Sequence, residues 1–231
     1  EVWLPTLTEE KMRQEIDEAD KVITEVTGMK PVGFRGPGFT WSPVLLEILM
    51  DKGYAFDAST LPTFIGPLAR IYYFLTSNFT PEERKKRETL FGSFKDGFRP
   101  VKPYFWRRMD KKILEIPVTT MPVFKFPFHV SYLLYLSRIS KSLMMLYLNI
   151  ALLMCRLTRT RPTILLHPLD IIGAEKVPEL AFFPGMNIET GKKVELFKII
   201  IRKLKKHYTL VTMEEHVSDI LKGKISSHEI G

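Results

Sequence analysis

Cysteine is almost absent from this chain of 231 residues, which has a single thiol at Cys155. One thiol excludes a disulfide within the chain, and its apolar neighbours predict a buried, unreactive side chain. Apolar runs long enough to cross a bilayer are missing too. The apolar run Ser142–Met154 has thirteen residues, whereas a membrane-spanning helix needs about 20.

Sequence motifs for a metal centre are also scarce. The five histidines include no closely spaced pair, and no two aspartates are adjacent. These absences exclude a metal site built from ligands that are neighbours in the sequence. The chain opens at Glu1 without a signal-peptide pattern. No methionine begins it, so we expect residues upstream of Glu1 to be missing.

Positive charge, in contrast, is abundant and localised. The net charge is +8, and Glu82–Lys112 has eleven Lys or Arg against five Asp or Glu. A basic protein suits acidic partners such as anionic lipid, anionic glycan or nucleic acid. No nucleic-acid-binding motif accompanies the charge, so we predict no nucleic-acid partner. A solvated basic insertion at residues 59–112 is the simpler interpretation.

Helix and strand patterns alternate along the chain. Apolar residues recur at helical spacing in Thr6–Val26, and Gly28 ends that helix. Short connections between predicted strands and helices imply a parallel α/β arrangement. We therefore predict a single α/β domain over residues 1–231 with a flexible tail at residues 222–231. The predicted strands cover residues 32–35, 54–57, 113–118, 163–167 and 208–212.

The stretch Pro31–Pro43 combines a strand end, a turn and a helix start. Arg35 follows an apolar alternation and is predicted to end the strand. In Gly36–Gly38 the proline fixes φ and the glycines permit a tight turn, while Ser42 is the predicted helix cap. Ligands of α/β folds bind at this end of the strands, so Arg35 is a candidate site residue. The alternative is a structural turn whose arginine pairs with a surface carboxylate.

Two later segments repeat this plan, in which an apolar strand ends in one polar residue. With the turn and one further run, four segments are then in place: Arg35-Gly36-Pro37-Gly38, Gly53–Ser59 with Asp57, Leu114–Val118, and Thr163–Pro168 with His167. Together they resemble the polysaccharide deacetylase family, the NodB-homology domain. The resemblance spans residues 5–217 and implies an incomplete, distorted (β/α) barrel that lacks the family's first strands.

The resemblance implies a hydrolase that acts on carbon–nitrogen bonds. It would remove an N-acyl group, such as acetyl, from an amino sugar in a glycan or on a lipid carrier. By resemblance, Arg35 would hold a catalytic-base aspartate and Gly38 would offer a backbone N–H to the oxyanion. His167 would protonate the leaving amine, and Asp57 would orient the resulting imidazolium.

The same resemblance implies a divalent metal, zinc or similar, in the full-length protein. The Asp-Asp motif and paired histidines that hold the metal in this family are missing from this sequence. We therefore expect the chain to be inactive alone. Two alternatives remain open: deformylation of a lipid-linked amino sugar on the same scaffold, or a non-catalytic remnant that binds carbohydrate or membrane.

Residues 130–157 form an apolar helical segment with two interpretations. The first is a pair of buried core helices. The second is an interfacial helix on an anionic membrane, because basic residues flank the apolar run. That location would suit a lipid-linked sugar and a place in the cell envelope or at the membrane periphery. The flanking residues are Arg138, Lys141, Arg156, Arg159 and Arg161.

Overall fold

A computed structural model describes residues 4–76, 80–86, 92–183 and 185–230. The chain forms two compact units, one of Glu1–Val118 with Ile220–Gly231 and one of Thr119–Asp219. Helices of the first unit are α1 (Glu9–Thr27), α2 (Pro43–Asp51), α3 (Gly66–Thr76) and α4 (Pro81–Lys86). The second unit contains α5 (Val130–Ile139), α6 (Lys141–Leu157) and α7 (Thr190–Lys205), and α8 (Met213–Leu221) begins in it.

All five described strands lie in one sheet of the first unit. They are β1 (Gly33–Phe34), β2 (Phe56–Asp57), β3 (Tyr104–Arg108), β4 (Lys111–Glu115) and β5 (Ser226–Glu229). The spatial order is β1-β2-β4-β3-β5, and every neighbouring pair is parallel except β3 with β4. The predicted α/β class with mostly parallel strands is confirmed. The distorted barrel is not confirmed by the described strands.

Side-chain caps fix the first two helices. Thr8 Oγ1 accepts the N–H of Lys11 at 3.4 Å, so α1 begins at Glu9 and not at the predicted Thr6. Gly28 ends α1 with φ 73°, a backbone conformation that favours glycine. Ser42 Oγ accepts the N–H of Leu45 at 3.1 Å, and α2 begins at the next residue, as predicted.

Other strand predictions fail. Residues 163–167 and 208–212 form no strand in the structure. The N–H of Thr163 does not donate to a neighbouring strand, because it donates to the side-chain Oγ1 of Thr119 at 2.8 Å. Conversely, β3 lies in the predicted insertion and β5 in the predicted tail. Residues 77–79 and 87–91 of that insertion lie outside the described residues, and the domain boundaries stay predictions.

Each unit has its own apolar core. In the first unit, α1 and α2 pack with residues of β3 and β4. In the second, buried residues of α5, α6 and α7 form the core, including Cys155. Burial raises the pKa of the Cys155 thiol to about 12. The core also contains Lys193, whose Nζ donates to the carbonyls of Leu169 at 2.7 Å and Ile172 at 2.8 Å.

Candidate functional site

The carboxyl ends of three parallel strands bring three polar residues to one edge of the sheet. In the strand register Phe34 lies opposite Asp57, and Asp57 lies opposite Glu115. Arg35 follows Phe34 by one residue. Because β1, β2 and β4 all run in the same direction, their last residues meet at this edge, where α/β proteins bind ligands.

Asp57 and Glu115 are fully buried and receive hydrogen bonds from neighbouring side chains. Ser59 Oγ donates to Asp57 Oδ1 at 2.6 Å. Glu115 Oε1 accepts the hydroxyl of Thr60 at 2.6 Å and its N–H at 3.1 Å. Glu115 Oε2 accepts the indole N–H of Trp106 at 3.2 Å. Among the described residues, no N–H or O–H group within hydrogen-bonding distance donates to Asp57 Oδ2.

Burial raises the pKa of both carboxyl groups. Burial raises the pKa of Glu115 well above its usual value, and the charge of Asp57 raises it further. For Asp57, hydrogen bonds from Ser59 and Glu115 oppose the rise in pKa that burial causes. These directions favour the protonated form at Glu115 and the anion at Asp57.

Arg35 lies beside this pair, and its side chain is exposed to solvent. Its Nε donates to the carbonyl of Ala58 at 2.9 Å. Burial lowers the pKa of the Arg35 guanidinium, and the charges of Asp57 and Glu115 oppose that change. Among the described residues Arg35 forms no direct ion pair with a carboxylate. Its predicted role in holding a catalytic aspartate stays a prediction.

The turn after Arg35 is fixed by close backbone packing. The N–H of Gly36 donates to Ser59 Oγ at 2.8 Å. A Cβ at Gly36 would lie 1.9 Å from the carbonyl oxygen of Thr40, so only glycine fits there. Gly38 has φ 61° within the 3-10 turn Pro37–Phe39. The suggested oxyanion contact of the Gly38 N–H stays a prediction.

His167 lies in the second unit, whereas Arg35 and Asp57 lie in the first. It precedes the 3-10 turn Pro168–Asp170 and does not end a strand. Its Nδ1 is 3.3 Å from Ser131 Oγ and 3.5 Å from Asp170 Oδ2. Burial would raise the pKa of Asp170, but hydrogen bonds with His167 and Ser131 lower it below its usual value.

Sequence reasoning missed Glu115 as a site residue. It occurs in the run Leu114–Val118, where it is a single acidic residue inside an apolar strand. A buried strand position occupied by a carboxylate signals an unusual environment, because isolated charges are rarely buried. That signal was present in the sequence. Trp106 was missed because it lies in the predicted insertion.

An aromatic stack adjoins this carboxyl pair. The rings of Trp41 and Trp106 are stacked with centroids 5.1 Å apart. The Arg99 guanidinium lies 4.1 Å from the centroid of Trp41, as in a cation–π contact. Trp106 is therefore both a member of the stack and a hydrogen-bond donor to Glu115. Among the described residues, no group of three or more His, Cys, Asp or Glu could hold a metal ion. The predicted divalent metal stays a prediction.

A family profile, glycosyl hydrolase family 57, matches residues 2–80. The matched region contains Arg35 and Asp57 but ends before Glu115 and His167, and it is less than half of the chain. No curated protein and no solved structure matches.

This match corrects the resemblance drawn from the sequence. The chain resembles a glycosyl hydrolase and not a polysaccharide deacetylase, and such enzymes cleave glycosidic bonds and not carbon–nitrogen bonds. The predicted removal of an N-acyl group is therefore wrong, and the deformylase alternative falls with it. The parts of the prediction that fit the match are a hydrolase and a carbohydrate substrate.

Proposed function

We propose that this protein hydrolyses glycosidic bonds, with Glu115 as the general acid. The observation that carries the proposal is the pair of buried carboxyl groups, Asp57 and Glu115, which lie opposite each other at the strand edge. The raised pKa of Glu115 favours a proton that Glu115 shares with Asp57. Glycoside hydrolysis needs a carboxylic acid that stays protonated near neutral pH and donates to the leaving oxygen. Two carboxyl groups whose surroundings favour different protonation states supply such an acid and an anion.

Neighbouring residues provide the remaining requirements. Asp57 is the anion of the pair, and the charge of Arg35 balances it across the strand edge. Trp41 is half-buried and stacks on the buried Trp106, whose indole N–H donates to Glu115. A sugar that contacts Trp41 therefore lies one ring away from the proton donor.

Complete burial of both carboxyl groups favours a second candidate function. Asp57 and Glu115 have no exposed surface, so a sugar reaches Glu115 only if neighbouring side chains move. The proton pair would then be structural, and the protein would bind carbohydrate without cleaving it. The two candidates differ in whether bound glycan is turned over.

The test compares aryl glycosides whose leaving groups differ in acidity. Glu115→Gln should lower the turnover of a phenyl glycoside by about 10²–10⁴-fold, the usual contribution of a general acid. A dinitrophenyl glycoside should be affected much less, because its leaving group departs without a proton. A folding defect would lower both rates alike, so the ratio of the rates isolates the role of Glu115.

Glu47→Gln is the matched control. Glu47 is a carboxylate of α2 that pairs with Arg108, away from the shared proton. Glu47→Gln should leave the turnover of both the phenyl and the dinitrophenyl glycoside unchanged. Equal loss on both substrates in Glu115→Gln, or none, would contradict the role of Glu115. Glycan binding by calorimetry without released phenol or reducing sugar would support the second candidate.

That the carbohydrate is carried on a lipid is a finer proposal. Its support is the apolar and basic surface of α6, which suits a substrate held at a membrane. Hydrolysis of the same glycan with and without a lipid anchor, measured on vesicles, would test it.

A further inference from the structure

One face of α6 is apolar and exposed although the opposite face is buried. Five residues follow the spacing 3, 4, 3, 4 and lie within an arc of about 80° at 3.6 residues per turn. Their exposed fractions range from 39% to 75%. We call them the α6 stripe: Leu143, Leu146, Ile150, Leu153 and Leu157. The buried residues on the other side are Met144, Leu148, Ala151, Leu152 and Cys155.

The two interpretations of this segment concern different faces of α6. The core side packs as predicted for a buried helix pair. Among the described residues, the α6 stripe is not part of the buried core of the second unit. Ile139, at the end of α5, is also 70% exposed. A row of five large apolar side chains on one helix face exceeds the scattered exposure that is normal on a protein surface.

A hairpin tip adds a second apolar element in the same unit. Val123, Phe124 and Phe126 are all exposed, and the two phenylalanine rings are stacked 6.4 Å apart. The tip is rigidly closed, because Met121 N–H donates to the carbonyl of Phe126 and Lys125 N–H donates to that of Met121, both at 2.7 Å. The loop thus presents aromatic side chains on a fixed turn.

The hairpin and α6 are connected directly. Tyr147 Oη, on the turn of α6 beside the stripe, donates to the carbonyl of Pro127 at 2.8 Å. Pro127 in turn pairs with Thr120 across the base of the hairpin. This hydrogen bond fixes the base of the hairpin beside α6.

The charge around this surface has one sign. Residues 116–169 contain no Asp or Glu and six Lys or Arg. Exposed basic residues lie at both ends of α6, namely Arg138, Lys141, Arg156 and Arg159. Basic side chains at the ends of an apolar stripe are typical of a helix that lies on an anionic membrane.

We propose that the α6 stripe and the hairpin tip dock this protein on an anionic lipid surface. The helix lies in the plane of the interface, since no helix among the described residues is long and apolar enough to cross a membrane. Pairing with a second copy is disfavoured. An antiparallel pair of α6 helices would place Arg138 and Lys141 against Arg156 and Arg159 of the other copy, and these like charges repel. The proposal does not depend on glycoside hydrolysis.

The test is sedimentation of the chain with phosphatidylcholine vesicles that contain or lack phosphatidylglycerol. The protein should bind the anionic vesicles, and added salt should weaken binding by screening the charges. Leu146→Ser with Leu153→Ser should lower the partition coefficient by about tenfold or more, since two leucines no longer leave water. Phe124→Ser, in the separate hairpin, should also lower it.

Val26→Ser is the control, because Val26 is 81% exposed on α1 of the first unit and should not affect binding. All substituted side chains are exposed, so circular dichroism should show an unchanged melting transition. Absence of binding to anionic vesicles would overturn the proposal. So would equal binding by the leucine variant and the control, or light scattering that shows a dimer disrupted by the leucine variant without vesicle binding.

Discussion

Asp57→Asn tests the shared proton directly. The substitution keeps the size of the side chain and matches its hydrogen bonds. The amide oxygen accepts from Ser59 in place of Oδ1, and the amide nitrogen takes the position of Oδ2, which has no donor among the described residues. That nitrogen donates to Glu115, so the variant no longer needs a proton between the two groups.

The sign of the effect follows from the raised pKa of Glu115. A carboxyl group whose pKa is higher in the folded state contributes stability that is complete at acid pH and is lost as pH rises through the folded value. Each proton held only by the folded state gives a slope of about 1.4 kcal/mol per pH unit. In Asp57→Asn the pKa of Glu115 falls, because a negative neighbour becomes a donor. The wild type should therefore lose its stability advantage over Asp57→Asn as the pH rises. The difference between their free energies of unfolding should fall by at most about 1.4 kcal/mol per pH unit.

Guanidinium unfolding followed by circular dichroism measures this difference from about pH 5 to about pH 8, where ordinary carboxylates are already ionised. Asp51→Asn is the control. Hydrogen bonds with Lys111 and Arg13 lower the pKa of Asp51, so its contribution is lost only at more acid pH. The free energy of unfolding of Asp51→Asn should therefore have the same pH dependence as that of the wild type in this window. If Asp57→Asn also has the pH dependence of the wild type, the shared proton is refuted.

Three further predictions concern packing. Gly36→Ala should destabilise the protein by about 1–3 kcal/mol in denaturant unfolding, because the new Cβ overlaps the carbonyl of Thr40; wild-type stability would contradict this. Lys193→Met should cost about 2 kcal/mol or more by the same assay, since two buried carbonyls lose a charged donor. Cys155 should resist a thiol reagent at neutral pH until the protein unfolds, because burial raises its pKa to about 12; rapid labelling of the native protein would show that the thiol is accessible.

The parts of the fold that sequence predicts are those fixed by local chemistry. Ser42 caps α2 and Gly28 ends α1 because both act on their own neighbours in the chain. The position of Arg35 at a strand end follows in the same way, since a tight turn comes directly after its apolar run. For such elements the side chain that decides the structure is only a few residues away.

The missed elements depend on distant partners. β5 consists of Ser226–Glu229, all exposed, and it forms a strand because the edge of β3 offers unpaired backbone groups. Residues 163–167 have a strand pattern but satisfy backbone groups through Thr119 instead. The pairing of Asp57 with Glu115 likewise joins two strands whose paired residues are 58 positions apart, and nothing in the sequence near either residue indicates it.

The contacts of the turn at Arg35 explain why its motif did not distinguish one hydrolase family from another. The residues that this turn requires, Arg35 and Gly36, each make a contact that maintains the fold. Gly36 is required by the carbonyl of Thr40, Gly36 N–H is held by Ser59, and Arg35 Nε donates to the carbonyl of Ala58. A turn with these contacts suits any α/β enzyme that places a ligand at its strand ends, whatever the reaction. The residues that distinguish reactions are those whose protonation the fold alters, and here that criterion selects Glu115, outside every motif of the turn.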